Sequence, residues 1–126
     1  MSHPIVHIEI PATNTKEASE FYSSVFGWNI EHDPNYDYYQ FRPEPGPGGG
    51  FVNVGPADQM NVSYDPGDVL IYIDSDDIDQ TLDKITSLGG KTVLPKTEIP
   101  GIGWFGVFTD PTGNRIGLFT SIAQMQ

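Results

Sequence analysis

Hydrophobic and polar residues alternate strictly near the start of the chain. In the segment IVHIEI the apolar Val6, Ile8 and Ile10 share one side, and His7 and Glu9 share the other. This two-residue period is typical of a β-strand with one mostly apolar face. The pattern therefore predicts a first strand that carries a histidine and a carboxylate on the same side.

A helical pattern follows this strand. Asn14 is a good N-cap with Glu17 three residues later as a capping box, and Gly27 supplies a C-terminal stop. Between them apolar residues recur at helical spacing, namely Ala18, Phe21, Tyr22, Val25 and Phe26. Three strand-like segments come next, at about 28–31, 38–42 and 51–54. The predicted order of this first half is βαβββ.

The same order returns in the second half of the chain. VLIYID predicts a strand, Ser75 or Asp76 is placed to cap a helix, Gly89 ends it, and KTVL, WFGVFT and RIGLFT predict three more strands. The first strands of the halves lie 63 residues apart and the helix-ending glycines 62 apart. We therefore expect a duplicated unit within a single domain, with module one at about 3–55, a linker at about 56–68 and module two at about 69–122.

Glycines mark two further features. Asp110, Pro111 and Gly113 favour a type I turn that closes a hairpin, and Gly117 then falls inside the following strand, where glycine usually marks the close approach of a ligand or of backbone. The segment PEPGPGGG, residues 43–50, predicts a flexible loop between two strands. That loop is either a lid over a site or a plain surface connection.

The composition excludes some kinds of site and disfavours some classes of partner. A length of 126 residues suits one domain, and the chain has no cysteine, which excludes disulfides and thiolate sites. The net charge of −11 disfavours nucleic acid and anionic membranes as partners, and we interpret it as a solubility device rather than as a sign of a cationic ligand. We see no targeting segment and no membrane-spanning run, so we expect a cytoplasmic protein.

The chain resembles the vicinal oxygen chelate superfamily of glyoxalases, bleomycin-resistance and fosfomycin-resistance proteins and extradiol dioxygenases. The resemblance rests on HIEIPATNTKEASEFYSSVFGW in the first half, and on IYIDSDDIDQTLDKITSLGG and GWFGVFTDPTGNRIGLF in the second. It implies an α+β fold in which two tandem βαβββ modules form a curled mixed sheet around a cleft, with the helices outside. It also implies that many enzymatic members hold a divalent metal in that cleft as a Lewis acid.

The implied metal ligands are mostly missing from this chain. His7 matches the ligand position in the first strand, but Leu70 stands at the equivalent position of module two and Gly117 stands where the last strand would carry a carboxylate. The glycines at 48–50 offer no ligand either. One ligand position of four does not make a metal site, so we expect no metal cofactor. Glu9 and Asp74 are the remaining oxygen donors near these positions.

Strand alternation predicts which side chains line the cleft if His7 points into it. The predicted set is His7, Glu9, Leu70, Tyr72, Asp74, Trp104, Arg115, Gly117 and Phe119, with Ile5 and Phe108 as further candidates. This set would form a mostly aromatic and apolar pocket with a few polar groups. The alternative is that the aromatic residues, Trp104 and Phe119 among them, are simply core between sheet and helix.

We expect a metal-independent protein that binds a small organic molecule, and the resemblance to bleomycin-resistance proteins implies a homodimer. Sequestration of a toxic compound is one role for such a protein. The alternative is a glyoxalase-like lyase or isomerase with an incomplete metal site that includes His7 and Glu9, or acid–base chemistry by His7 with a carboxylate. A third interpretation is a structural or regulatory module that binds no ligand.

Overall fold

The computed structural model describes residues 3–35, 38–55 and 63–122. Contacts between residues divide the chain into two compact units, Val6–Leu70 (the first unit) and Met1–Ile5 with Ile71–Gln126 (the second unit). Of the predicted linker, residues 56–62 lie outside the described residues.

The first unit combines one helix with a mixed sheet. Its elements are β1 (Ile5–Ala12), α1 (Thr15–Phe26), β2 (Ile30–Asp33), β3 (Tyr38–Phe41) and β4 (Gly48–Asn53). The strands lie in the order β2-β3-β4-β1. The β1–β4 pair is parallel, whereas β3 runs antiparallel to both β2 and β4.

The second unit repeats this connectivity. Its elements are β5 (Leu70–Asp74), α2 (Ile78–Ser87), β6 (Lys91–Ile99), β7 (Gly103–Thr109) and β8 (Arg115–Ser121). The strand order is β5-β8-β7-β6, with β5 and β8 parallel and the other pairs antiparallel. The predicted α+β class and the βαβββ order of each half are confirmed.

Strand register shows how closely the two halves correspond. Glu9 on β1 lies opposite Gly50 on β4, and Tyr72 on β5 lies opposite Gly117 on β8. The spacing from Glu9 to Tyr72 equals the predicted repeat of 63 residues. Gly50 and Gly117 are therefore equivalent positions of the two units.

Each helix begins with a side-chain cap. The Asn14 side chain accepts a hydrogen bond from the Glu17 N–H at 2.9 Å, and Gly27 ends α1 in the left-handed conformation with φ 71°, both as predicted. The N-cap of α2 is Asp77, so the prediction of Ser75 or Asp76 was wrong. The reason is that Ser75 is fully buried, where its hydroxyl pairs with that of Thr81 at 2.9 Å.

The prediction of a loop over residues 43–50 was wrong at its end. Gly48, Gly49 and Gly50 form the first half of β4, which begins three residues earlier than predicted. Neighbouring groups fill the space where their side chains would lie: a Cβ on Gly49 would overlap the backbone of Ile8, and one on Gly50 would overlap the Tyr38 ring. These glycines are strand residues because their neighbours leave no room for a side chain.

Both units bury an apolar layer between helix and sheet. In the first unit this layer is aromatic, with ring centroids 4.5 Å apart for Trp28 and Phe41 and 5.3 Å apart for Tyr22 and Phe51. In the second unit it is formed by Ile78, Leu82, Phe108 and Leu118. Within the described ranges, no helix has the length and apolarity that crossing a membrane requires.

The turn between β7 and β8 is organised by one carboxylate. Asp110 Oδ1 accepts hydrogen bonds from the backbone N–H groups of Thr112, Gly113 and Asn114 at 2.9–3.0 Å, and Oδ2 accepts one from the Asn114 side chain at 3.0 Å. These bonds favour the charged form, and the side-chain bond from Asn114 contributes most to lowering the pKa of Asp110. The predicted turn is confirmed, with the i to i+3 bond from Gly113 N–H to the Asp110 carbonyl at 2.9 Å.

Because of this turn, the stability of the folded protein depends on pH in the acidic range. Because the pKa of Asp110 is lower in the folded chain than its ordinary value of 3.8, its stabilising contribution is present above that value and is lost as the pH falls through the folded pKa. We expect Asp110→Asn to melt at a lower temperature than wild type at about pH 7, and this difference to shrink as the pH falls below 3.8. Thermal unfolding followed by circular dichroism measures both. Asp83→Asn, at an exposed position of α2, is the control; a similar pattern there would assign the effect to net charge.

Candidate functional site

Three polar side chains of the first unit form a closed triangle of hydrogen bonds. His7 Nε2 lies 2.8 Å from the Tyr38 hydroxyl oxygen and 3.0 Å from Glu9 Oε1. The Tyr38 hydroxyl lies 2.7 Å from Glu9 Oε1 and 2.8 Å from Oε2. We call this set the polar triangle. It joins β1 to β3 across the intervening strand β4.

The distances assign the protons of the triangle. An ionised carboxylate only accepts, so the single hydroxyl proton of Tyr38 is donated to Glu9. His7 Nε2 then carries a proton, which it donates to the Tyr38 oxygen and to Glu9. The arrangement orients the imidazole ring through Nε2 and leaves each of the three groups hydrogen-bonded.

Glu9 and His7 differ in how far they are exposed to solvent. Glu9 is 8% exposed, whereas the side chain of His7 is 31% exposed. A buried carboxylate needs charge-assisted hydrogen bonds, and Tyr38 and His7 supply them. Glu9 therefore anchors the triangle inside the fold, and the side chain of His7 is more exposed than that of Glu9.

Gly50 makes the triangle sterically feasible. It lies opposite Glu9 on β1 and opposite Gln40 on β3, in the middle of the sheet. A Cβ on Gly50 would overlap the end of the Tyr38 side chain, because its three nearest atoms are two ring carbons and the hydroxyl oxygen of that tyrosine. The ring lies over the glycine, and this position allows its hydroxyl to reach from β3 to β1.

Gly117 has the same role for a different ring. A Cβ on Gly117 would lie 2.5 Å from two ring carbons of Tyr72, its register partner on β5. The sequence predicted the close approach of a ligand or of backbone at Gly117, whereas the group that lies there is the ring of Tyr72, a side chain of the same unit. Phe105 lies beside this ring, with centroids 6.3 Å apart.

The other predicted site residues are distributed as follows. Leu70 and Tyr72 are buried, at 1% and 7% exposure, whereas Asp74, Arg115 and Phe119 are half-buried. Phe119 lies opposite Asp74 on one side and Phe105 on the other. The structure thus groups Tyr72, Gly117 and Phe119 on one face of the second unit.

The prediction that Trp104 and Phe108 share that face was wrong. Phe108 belongs to the apolar cluster beneath α2, and Trp104 packs against the same cluster. Strand pairing sets Phe105 opposite Phe119 and Val107 opposite Gly117, so these two residues of β7 share the face of Gly117. The odd-numbered residues of β7 point to this face, and the prediction had used the even-numbered ones.

The residues do not fit the metal centre that the resemblance implied. Register confirms that Gly50 and Gly117 occupy equivalent strand positions, and neither they nor Leu70 has a donor side chain. Among the residues that the structure describes, no three His, Cys, Asp or Glu side chains form a group that could hold an ion. His7 Nε2 is hydrogen-bonded to Glu9 and Tyr38, and a cation there would have to replace its proton.

Sequence reasoning missed Tyr38, Phe105 and the reason for Gly50. His7 and Glu9 were identified as neighbours on one face, but nothing in local spacing showed that Tyr38, 29 residues after Glu9, completes the set. A signal was present in the sequence. A glycine in a strand often marks a close approach, so assigning Gly50 to a strand would have pointed to a large neighbour.

Comparisons with known proteins agree with this fold. The sequence profile of the glyoxalase/bleomycin resistance protein/dioxygenase superfamily matches residues 4–118. The chain is 30% identical over 122 residues to CFP32 of Mycobacterium tuberculosis, a protein provisionally named a glyoxylase, and covers 43% of its length. It is also 30% identical over 116 residues to a glyoxylase-like domain-containing protein of Didymella fabae, covering 90% of each chain.

A solved structure gives the same result at lower identity. Methylmalonyl-CoA epimerase from Mycobacterium tuberculosis superposes with a TM-score of 0.72 over 96% of this chain and 89% of the epimerase, at 18% identity. Identity at this level indicates a shared fold and carries no activity with it.

Proposed function

Because this chain belongs to the glyoxalase/bleomycin resistance protein/dioxygenase superfamily, we propose that it binds a small organic molecule at the polar triangle without a metal ion. One observation carries the proposal: Tyr38 and Gly50 together replace a metal-ligand position with a hydrogen-bonding group. The triangle offers a ligand an imidazole and a hydroxyl in fixed positions. Groups held in advance by their neighbours bind with less loss of conformational freedom.

The chemistry of the triangle suits a ligand with an oxygen or nitrogen that hydrogen-bonds. The side chain of His7 is more exposed than that of Glu9, and His7 and Tyr38 both donate to Glu9. A ligand group can replace water in a hydrogen bond to His7 or Tyr38. The carboxylate of Glu9 stays buried when this happens. The sequence-based prediction that Tyr72, Asp74, Arg115 and Phe119 line the same cleft stays a prediction.

A second candidate function is a glyoxalase-like lyase or isomerase. The observation in its favour is that an imidazole, a phenol and a carboxylate within 3.0 Å of one another can pass a proton among themselves. In the form suggested by the sequence, this enzyme would use an atypical divalent metal site that includes His7. We rank it second because the donor set does not fit a metal.

The proposal also covers the assembly of the protein and its location in the cell. The chain spans 43% of the length of CFP32, so the activity of that whole protein is not carried over to it. A homodimer and a cytoplasmic location belong to the proposal. The absence of cysteine from the sequence agrees with a reducing compartment.

Ligand-induced stabilisation tests the binding proposal. We expect a thermal-shift screen of small polar organic compounds to give compounds that raise the melting temperature, since a ligand at one hundred times its Kd adds about 2.7 kcal/mol of stability. Tyr38→Phe keeps the ring over Gly50 and removes the hydroxyl, so a tenfold weaker ligand should then add only about 1.4 kcal/mol.

His32→Gln is the matched control, because His32 is exposed and stacks on Tyr39 at a centroid distance of 4.5 Å, away from the triangle. Equal shifts in wild type and Tyr38→Phe would remove the triangle from the binding site. No stabilising compound in the screen would favour a module that binds no ligand.

Metal analysis separates the two candidate functions. Protein purified without chelator is expected to contain divalent metal far below one ion per chain, in wild type and in His7→Ala alike. Elemental analysis measures this content. One ion per chain that is lost in His7→Ala would overturn the metal-independent proposal and favour the enzyme.

A further inference from the structure

A small hollow lies on the first unit between β2 and β3. Asn29, Glu31, Gln40 and Arg42 line it. Glu31 lies opposite Gln40, and Ile30 lies opposite the buried Phe41. Side chains alternate between the faces of a strand, so this quartet lies on the face away from α1, the face that also carries Tyr38.

The four residues that line the hollow are all polar, and they include both signs of charge. Glu31 and Arg42 are exposed, and neither forms an ion pair with another residue in the described part of the chain. The two are diagonal neighbours across the strand pair, a relationship that sets Cα atoms about 7–8 Å apart. Long side chains can span this separation, yet no ion pair joins the carboxylate and the guanidinium among the described residues, and an amide lies beside each.

Arg42 is distinctive in the first unit. Arg42 and Lys16 are its only lysine or arginine residues, and Lys16 is on the helix. The stem of Arg42 extends over Gly48 on β4, where a Cβ would lie 3.2 Å from Arg42 Cγ.

We propose that this hollow binds the charged end of a free α-amino acid, with the ligand's carboxylate on Arg42 and its ammonium on Glu31. An α-amino acid carries its ammonium and its carboxylate on one carbon, so it can form a charge-assisted hydrogen bond of about 2.8 Å to each of the two side chains at once. Asn29 and Gln40 supply further donors and acceptors to the same groups. The hollow is separate from the polar triangle, so this site does not depend on the function proposed above.

Net charge selects a zwitterion over a simple anion. The chain carries a charge of −11, which repels anions at long range, whereas a zwitterion has no net charge and approaches freely. Exposed ion pairs are individually weak in water. We therefore expect a Kd of about 1 mM, typical of a site with few contacts.

Titrations with three related compounds test this site. L-Alanine carries both charges, L-alaninamide lacks the carboxylate and N-acetyl-L-alanine lacks the ammonium group. We expect L-alanine to shift the amide resonances of residues 29–31 and 40–42 in ¹H–¹⁵N spectra, and each analogue to bind at least about tenfold more weakly. Similar affinities for all three compounds, or no shifts at these residues, would show the inference to be wrong.

Substitutions test separately whether Glu31 and Arg42 contribute to binding. Glu31→Gln and Arg42→Gln are each expected to weaken L-alanine binding about tenfold or more. Lys16→Gln and Glu20→Gln change the net charge by the same amounts on the exposed side of α1 and should leave binding unchanged. Equal losses in all four variants would show that binding does not depend specifically on the hollow, and losses only in Arg42→Gln and Lys16→Gln, or only in Glu31→Gln and Glu20→Gln, would assign the effect to net charge.

The result is independent of the test of the polar triangle. Tyr38→Phe should keep the L-alanine shifts at residues 29–31 and 40–42 while it loses the thermal shift from compounds found in the screen. Failure of the alanine titration with an intact, Tyr38-dependent thermal shift would remove only the amino-acid site. A successful alanine titration without a Tyr38-dependent thermal shift would overturn only the proposed function.

Discussion

Replacing Gly50 by alanine is expected to lower the free energy of unfolding by about 1–3 kcal/mol, because overpacking of a filled site has this cost. The new Cβ would overlap the Tyr38 ring, and no other group stands among its three nearest atoms. The ring must move, and its hydroxyl then leaves Glu9 and His7. We expect the variant to lose ligand binding at the triangle together with this stability. Urea unfolding measures the first effect and the thermal-shift assay the second.

A double-mutant cycle makes this prediction specific. In a Tyr38→Ala background the ring is absent, so Gly50→Ala should cost no more than about 0.5 kcal/mol. The difference between the two backgrounds is the interaction between the glycine and the ring. If Gly50→Ala costs the same with and without the ring, the packing of Tyr38 on Gly50 does not explain the glycine.

Phe51→Ala is expected to destabilise the first unit most, by about 3–5 kcal/mol. Phe51 is 1% exposed and lies between two rings, with centroids 5.3 Å from Tyr22 on α1 and 5.3 Å from Phe41 on β3. Its removal leaves a cavity beneath the helix that these rings cannot fill. The urea midpoint should fall while the slope of the transition stays the same.

Phe21→Ala is the matched control for this core substitution. Phe21 lies on α1, the helix that packs on Phe51. Its side chain is nevertheless 58% exposed, and its ring contacts Tyr22 edge to face at 5.2 Å. We expect a loss of at most about 1 kcal/mol. A loss as large as that of Phe51→Ala would show that the exposed side of α1 is packed in solution.

The elements of the fold were readable from the sequence because each carries its own local signal. Alternation identified β1, helical spacing with Asn14 and Gly27 bounded α1, and the turn residues Asp110 and Gly113 identified the last hairpin. The errors occurred where tertiary contacts overrule such signals. Ser75 looks like a helix cap but is buried, and Gly48–Gly50 look like a loop but lie in a strand that has no room for side chains.

The candidate site was only half predictable for the same reason. His7 and Glu9 are two residues apart on one strand, so alternation alone places them together. Tyr38 comes from β3, and its contact with them depends on strand order, on register and on a glycine in the strand between them. Trp104 was assigned to the wrong face because β7 is rich in aromatic residues and has a polar residue only at its end, Thr109, so alternation does not mark which face is which.

The packing of tyrosine on glycine in both units restricts how this protein can evolve. A carboxylate at position 50 or 117 would drive its Cβ into the ring of Tyr38 or Tyr72, so the first step toward a metal ligand is harmful while the ring remains. Removing the ring first leaves an empty space in the sheet. A lineage that changes one codon at a time is thus expected to lose stability in either order, so obstruction by the two rings favours the retention of glycine at both positions.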